Sequence, residues 1–105
     1  MDTSFPIESI DGKPLIHLVG DLDTNESSQK LKEVIGSVET TNQTAFYTFD
    51  LSAVGIIDTG AIGTLLCLSQ KCRSKGGLVC LKGANGYVKQ LLQMLKLETF
   101  FAIEE

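Results

Sequence analysis

Apolar residues recur along this chain in two rhythms, and the changes of rhythm mark out its elements. Residues 4–10, SFPIESI, alternate weakly, and 14–20, PLIHLVG, follow after Asp11-Gly12. Alternation places successive side chains on opposite faces of a strand, and Asp-Gly between two such runs is the strongest short-range hairpin signal. Pro6 and Pro14 suit an edge or a strand start, because proline brings no N–H to a ladder. The second strand sets Leu15, His17 and Val19 on one face and Ile16 and Leu18 on the other.

From residue 20 the period lengthens. GDLDTNES closes the strand and opens a helix, with Asp23 and Glu26 in a D-x-x-E capping arrangement and Thr24 as an alternative cap. Leu31, Val34, Ile35 and Val38 recur at i, i+3, i+4 and i+7, one apolar helix face, and the helix is expected to end between Glu39 and Thr41. TAFYTFDLS, 44–52, is aromatic and β-branched and predicts a central strand. After Asp58, the positions Ala61, Leu65, Leu68 and Cys72, widened by Ile62 and Leu66, predict a more buried helix that Gly76-Gly77 terminate. LVCLKG, 78–83, is a short strand. Asn85 caps a third helix bearing Val88, Leu91, Leu92 and Leu95, and TFFAI, 99–103, predicts a last strand. Strands alternating with helices from residue 44 onward predict right-handed crossovers and a mostly parallel sheet.

Composition adds little to this outline but excludes several functions. The 105 residues suit one domain with a single core. Net charge is −4 and the nine Lys and Arg form no dense cluster, which argues against nucleic acid as a partner. No apolar run approaches the roughly 20 residues that span a bilayer, and the N-terminus lacks a secretory signal, so the expected location is the cytoplasm. Cys67, Cys72 and Cys80 are odd in number and lack metal-ligand spacing. They are expected as small buried hydrophobes in a reducing compartment.

Catalytic and cofactor patterns are equally thin. Asp21-Leu22-Asp23-Thr24 misses the aspartyl-phosphatase D-x-D-x-T because Asn25 stands where threonine belongs. A receiver-like magnesium site from Asp21, Asp23, Asp50, Asp58 and Lys82 requires the acidic pair to follow a first parallel strand, and here a hairpin comes first. The glycines form neither a dinucleotide fingerprint nor a P-loop. His17, the only histidine, is expected to be structural, and the carboxylates nearest to it in sequence lie beyond the end of its strand. No cofactor, metal or catalytic residue is expected.

What remains is Asp58-Thr59 at the start of the second helix. Either residue suits an N-cap. Equally, the N–H groups of a helix's first turn lack intrahelical partners and favour anions, so a phosphate on Thr59 would be stabilised there while Asp58 opposed it. Gly60 and Gly63 keep that first turn bare to an approaching backbone.

LSAVGIIDTGAIGTLL resembles the strand-turn-helix of STAS domains, the anti-sigma factor antagonist family, whose pattern is close to L-x-x-V-x-F-h-D-S-[ST]-G-h-G-x-L. HLVGDLDTNESSQKLKEVI is similar to the family's R-L-x-G-E-L-D segment and first helix, and GGLVCLKGANGYVKQLLQMLKLETFF to its G-G-x-h-x-h strand and following helix. The resemblance implies one STAS domain over 1–105, its final helix short or absent: an α/β fold with a mixed, mostly parallel sheet, an N-terminal hairpin and helices packed on it. It implies a non-enzymatic interaction switch. Thr59 would be phosphorylated by an anti-sigma factor serine/threonine kinase, which binds the unphosphorylated form, and a PP2C-type phosphatase would restore it. The implied partner surface takes Asp21, Asp23 and Thr24 from one turn. From the other it takes Asp58, Thr59, Gly60, Ile62 and Gly63. Gly60 and Ala61 depart from the family pattern, which often has a second Ser or Thr and then Gly. A scaffold or transport-complex subunit that is never phosphorylated is the alternative.

Overall fold

A computed structural model describes residues 5–41 and 44–104. Ser4, the first residue of the expected hairpin, lies outside them. The hairpin forms from β1 (Ile7–Ile10) and β2 (Lys13–Val19), antiparallel, with Ile10 opposite Lys13. Asp11 and Gly12 both take positive φ, 55° and 77°. That is the pair of left-handed conformations a two-residue hairpin turn requires, and the reason Asp-Gly suits it.

Three crossovers follow: α1 (Asn25–Thr41) leads to β3 (Phe46–Ala53), α2 (Thr59–Ser74) to β4 (Leu78–Lys82), and α3 (Gly86–Met94) to β5 (Ala102–Glu104). The sheet order is β1-β2-β3-β4-β5, with β2 through β5 parallel. Each helix therefore carries the chain to the next strand along. This is the mixed, mostly parallel sheet that the sequence predicts.

One face of the sheet makes the core. Ile16 and Leu18, Tyr47, Phe49 and Leu51, and Val79 and Leu81 alternate inward and meet Leu31, Val34, Ile35 and Val38 of α1. Ala61, Leu65, Leu68 and Cys72 of α2 join them, as does Ile62, with Val88 and Leu92 of α3. Each large side chain buried this way contributes about 1.5–3 kcal/mol. On the opposite face His17, Thr48, Asp50, Ser52 and Cys80 remain half-buried or exposed, with Leu15 the buried member. The molecule has two layers, and one face of its sheet is open.

Gly77 is set by close approach. A Cβ there would lie 1.9 Å from the Ala45 carbonyl oxygen, because the Leu78 amide donates to that same oxygen at 2.8 Å as β4 enters the sheet.

One open choice is settled and three local expectations change. Of the two caps offered for α1, Thr24 serves and Asp23 does not: Thr24 Oγ1 accepts from the Ser27 amide at 3.0 Å, and Ser27 Oγ accepts from the Thr24 amide at 3.1 Å. Serine at the third position thus plays the part expected of Glu26. Thr99 and Phe100 belong to a short 3-10 turn (Glu98–Phe100), and the last strand starts only at Ala102. The chain leaving α3 must reverse, with Lys96 at φ 58° and the Phe100 amide bonded to the Leu97 carbonyl, and that turn overrides the strand propensity of TFF. Cys67 is exposed, whereas Cys72 is buried and Cys80 half-buried. Leu95, placed on the apolar face of α3, is 41% exposed.

Candidate functional site

The turn at Asp58 is built by the backbone on both sides. At the end of β2 the pairing with β3 shifts register between His17 and Val19, and the two chains then continue side by side. The Gly20 amide donates to the Ala53 carbonyl at 3.1 Å, the Leu22 amide to Ile56 at 2.7 Å, and the Asp58 amide back to Leu22 at 2.8 Å. Leu22 and Ile57 form an isolated parallel bridge, and both side chains are buried. The loop before α1 and the loop before α2 are thereby one unit. The flanking polar residues, Asp21 and Asp23 on one chain and Asp58 and Thr59 on the other, are fixed side by side.

Asp58 is the N-cap of α2. Its backbone is extended, and Oδ1 accepts from the Ala61 amide at 2.9 Å. Thr59 is the first helical residue and is exposed. Among the described residues its hydroxyl engages no partner. Gly60 follows, exposed, and a Cβ there would sit 3.4 Å from Asp58 Oδ1 and 3.7 Å from Ser28 Oγ. The turn therefore presents a free hydroxyl, a bare backbone and a carboxylate already committed to the helix end. Asp21, Asp23 and Thr24 are exposed beside it, and Asp21 Oδ1 lies 3.0 Å from the Cβ position of Gly55. Gly63 is half-buried. Ile62 is not part of this surface: it is 2% exposed and packs in the core, because the α2 stripe turns it inward with Ala61 and Leu65.

Asn85 has a second role that helix capping alone did not suggest. Its Oδ1 accepts from the Val88 amide at 2.9 Å, while Nδ2 donates to the Val54 and Gly55 carbonyls at 3.3 and 3.2 Å. The start of α3 is thus tied to the loop that carries Asp58. No spacing in the sequence signals this contact, since it joins residues some thirty positions apart.

His17 lies on the open face of the sheet between two carboxylates that the sequence places far from it. Nδ1 is 2.8 Å from Asp50 Oδ2 on β3, and Nε2 is 3.0 Å from Glu8 Oε2 on β1. Those hydrogen bonds, Asp50's first and Glu8's second, raise the imidazole pKa above its ordinary 6.5. Asp50 Oδ1 also accepts from the Ser52 amide at 3.0 Å, and hydrogen bonding from Ser52, ahead of His17, lowers its pKa. Asp50 is thus engaged, and among the described residues no group of three His, Cys, Asp or Glu side chains could hold a metal ion.

The structure is thus a two-layer α/β domain with an acidic double turn and an exposed hydroxyl at the start of α2. The family model of the STAS domain matches residues 4–105, and the chain belongs to that family. Solved structures agree on the fold. An anti-sigma factor antagonist from Mycobacterium paratuberculosis superposes with a TM-score of 0.82 at 19% identity, over 96% of this chain and 84% of that one. The Bacillus cell fate determinant SpoIIAA in its phosphorylated form gives 0.73 at 15% identity, over 95% and 90%. A sulfate transporter family protein from Wolinella succinogenes gives 0.72 at 16%, over 92% and 80%. No helix among the described residues is long and apolar enough to cross a membrane.

Proposed function

We propose that this STAS domain is a non-enzymatic, cytoplasmic partner switch of the anti-sigma factor antagonist type, and that Thr59 is its phosphoacceptor. The observation that carries the reading is the Leu22–Ile57 bridge, which joins the acidic loop and the exposed Thr59 hydroxyl into one surface. Asp21, Asp23, Asp58, Thr59 and Gly60, with Thr24 and Gly63 at the edges, form the contact for a serine/threonine anti-sigma kinase. Three carboxylates in this surface suit a partner whose facing side is basic.

In the transfer step, Thr59 Oγ1 forms a bond to the γ-phosphorus of the kinase's ATP as the bond to the β-phosphate oxygen breaks. The hydroxyl proton passes to a base of the kinase. The product carries about −1.5 to −2 additional charges. Asp58 already occupies the Ala61 amide, so the new phosphate meets a carboxylate at the helix end as well as the first-turn amides that Asp58 leaves open. Added beside Asp21 and Asp23, it alters the surface by charge and bulk without refolding the domain. A PP2C-type phosphatase reverses the modification.

The reading is tested by incubating the protein with each serine/threonine anti-sigma kinase of its source organism and measuring intact mass. A gain of about 80 Da in the wild type, absent from Thr59→Ala, supports it. No gain with any kinase, together with stable binding to another partner, sinks it in favour of an unmodified scaffold or transport-complex subunit. The fold likeness to a sulfate transporter family protein is what keeps that second reading in view.

A further inference from the structure

At the end of α2 remote from Thr59, a cavity of about 520 Å³ opens between α1, the entry to β3 and the last turns of α2. That volume falls within the roughly 300–1,000 Å³ of small-molecule sites. Its floor is Tyr47 of β3 with Leu68 and Cys72 of α2, each 3% exposed. Its rim is polar, and includes Glu39, Thr44, Lys71 and Lys75.

A tyrosine buried this deeply ordinarily gives its O–H a partner. Among the described residues the Tyr47 hydroxyl engages none, yet no fully buried side-chain nitrogen or oxygen there goes unpaired. The hydroxyl is therefore open to the cavity. Burial first, and Glu39 second, raise its pKa, so the phenol stays a donor. Two more donors are uncommitted. Thr44 Oγ1 accepts from the Phe46 amide at 3.1 Å and keeps its own proton to give. The Lys75 ammonium has no carboxylate partner among the described residues, and its field reaches the cavity floor, where it opposes the rise that burial imposes on the Cys72 pKa. The groups of opposite character are occupied. Glu39 Oε2 accepts from Lys71 Nζ at 3.2 Å. At the end of α2 the Cys72 carbonyl accepts from the Lys75 and Gly77 amides, and the Arg73 carbonyl from Gly76.

We propose that this cavity binds a small organic carboxylate with a short apolar tail. The carboxylate accepts from the Tyr47 hydroxyl on the floor and from Thr44 and Lys75 at the rim, and the tail lies on Leu68 and Cys72. A carboxylate has acceptors and no donors, which matches three donors left open. Its single charge answers the one that Lys75 leaves over once Lys71 and Glu39 cancel. The site stands at the other end of α2 from Thr59, so it is separate from the partner surface and independent of whether Thr59 is phosphorylated.

The test titrates the isotope-labelled protein with hexanoate and with benzoate and follows the amide shifts of Tyr47, Cys72 and Lys75 by NMR. Hexanol, hexylamine and inorganic phosphate are the controls: the same tail without the charge, the same tail with the opposite charge, and an anion without a tail. The carboxylates are expected to saturate those shifts and to bind about tenfold or more tighter than any control. Tyr47→Phe should raise Kd about fivefold and Lys75→Gln about tenfold, the latter losing a charged donor. Tyr47→Phe should also melt no lower than the wild type, since its hydroxyl holds no partner in the protein. Hexanol binding as well as hexanoate overturns the carboxylate, and phosphate binding as well overturns the tail. No saturation by either acid at about 10 mM leaves the cavity to water and overturns the site. A Tyr47→Phe that binds hexanoate like the wild type, or that melts below it, overturns the part given to the hydroxyl and with it the proposal.

Discussion

The His17 clamp makes the stability of the hairpin depend on pH in a way that one substitution should reverse. Protonated, the imidazole donates from Nδ1 to Asp50 and from Nε2 to Glu8 at the same time. The folded-state pKa is raised, so the clamp's contribution is complete below the ordinary 6.5 and is lost as pH rises through the folded value. Asp50 sets the lower limit, because its pKa is depressed. Its part is complete above the ordinary 3.8 and is lost as pH falls through the folded value. The clamp is therefore strongest between those two reference values.

Glu8 has a side chain 59% exposed, so its pair with the half-buried imidazole is worth roughly 0.5 kcal/mol, in the range of exposed ion pairs. In a domain of this size about 0.5 kcal/mol corresponds to a shift in Tm of about 2–4 °C. Glu8→Gln should lower Tm by that amount near pH 5.5, roughly one unit below the imidazole's reference value. Well above the folded pKa the sign changes. The neutral ring keeps its proton on Nδ1 for Asp50, Nε2 becomes an acceptor, and a carboxylate has no hydrogen to give it. The amide of glutamine does. Near pH 8.5, about two units above the reference value, Glu8→Gln should melt at or above the wild type. Thermal melts followed by circular dichroism at both pH values, with NMR titration of the single histidine ring, decide the matter. An equal Tm shift at both pH values, or a His17 pKa that Glu8→Gln leaves unmoved, would refute the clamp.

Three further outcomes follow from packing. Asp58→Ala removes the α2 cap and should cost about 1 kcal/mol, a fall in Tm of about 4–8 °C, whereas Asp58→Asn should retain most of it. Gly77→Ala should lower the urea midpoint by the equivalent of about 1–3 kcal/mol or more, because its methyl would overlap the Ala45 carbonyl, while Gly86→Ala, with open space around it, should not. Among the thiols, Cys67 should react first with a disulfide reagent near neutral pH. Cys72, whose pKa burial raises, and Cys80, pushed up to about 11 by burial and Glu104, should wait for denaturant.

The elements that were legible in the sequence are those specified within a few residues of themselves. Asp11-Gly12 names its own turn, Asn85 its own cap, and the stripe Ala61, Leu65, Leu68, Cys72 its own buried face. What escaped is what one part of the chain does to another. The Leu22–Ile57 bridge has no periodicity to betray it, and it joins the two halves of the candidate surface. His17 meets Glu8 and Asp50 only through strand pairing, so the distance along the chain to a carboxylate was no guide. Ile62, read both as a widening of the buried α2 stripe and as a partner contact, serves the first only, while Cys67, expected buried, falls on the outward side of the same helix. Of the two caps offered for α1, Thr24 serves because Ser27 offers a partner that Asp23 and Glu26 do not take.

The consecutive strand order has a consequence for how the molecule comes into being. Every strand pairs with the strand just made or the one about to follow, so the sheet can grow strand by strand as the chain emerges. In that order the two loops of the candidate surface are joined once the second crossover begins, but the loop bearing Asp58 is not fastened until Asn85 arrives with the third. A nascent chain stopped after α2 would carry Thr59 on a surface assembled but not yet fastened. Competence for partner binding should therefore be acquired late in synthesis, when α3 docks.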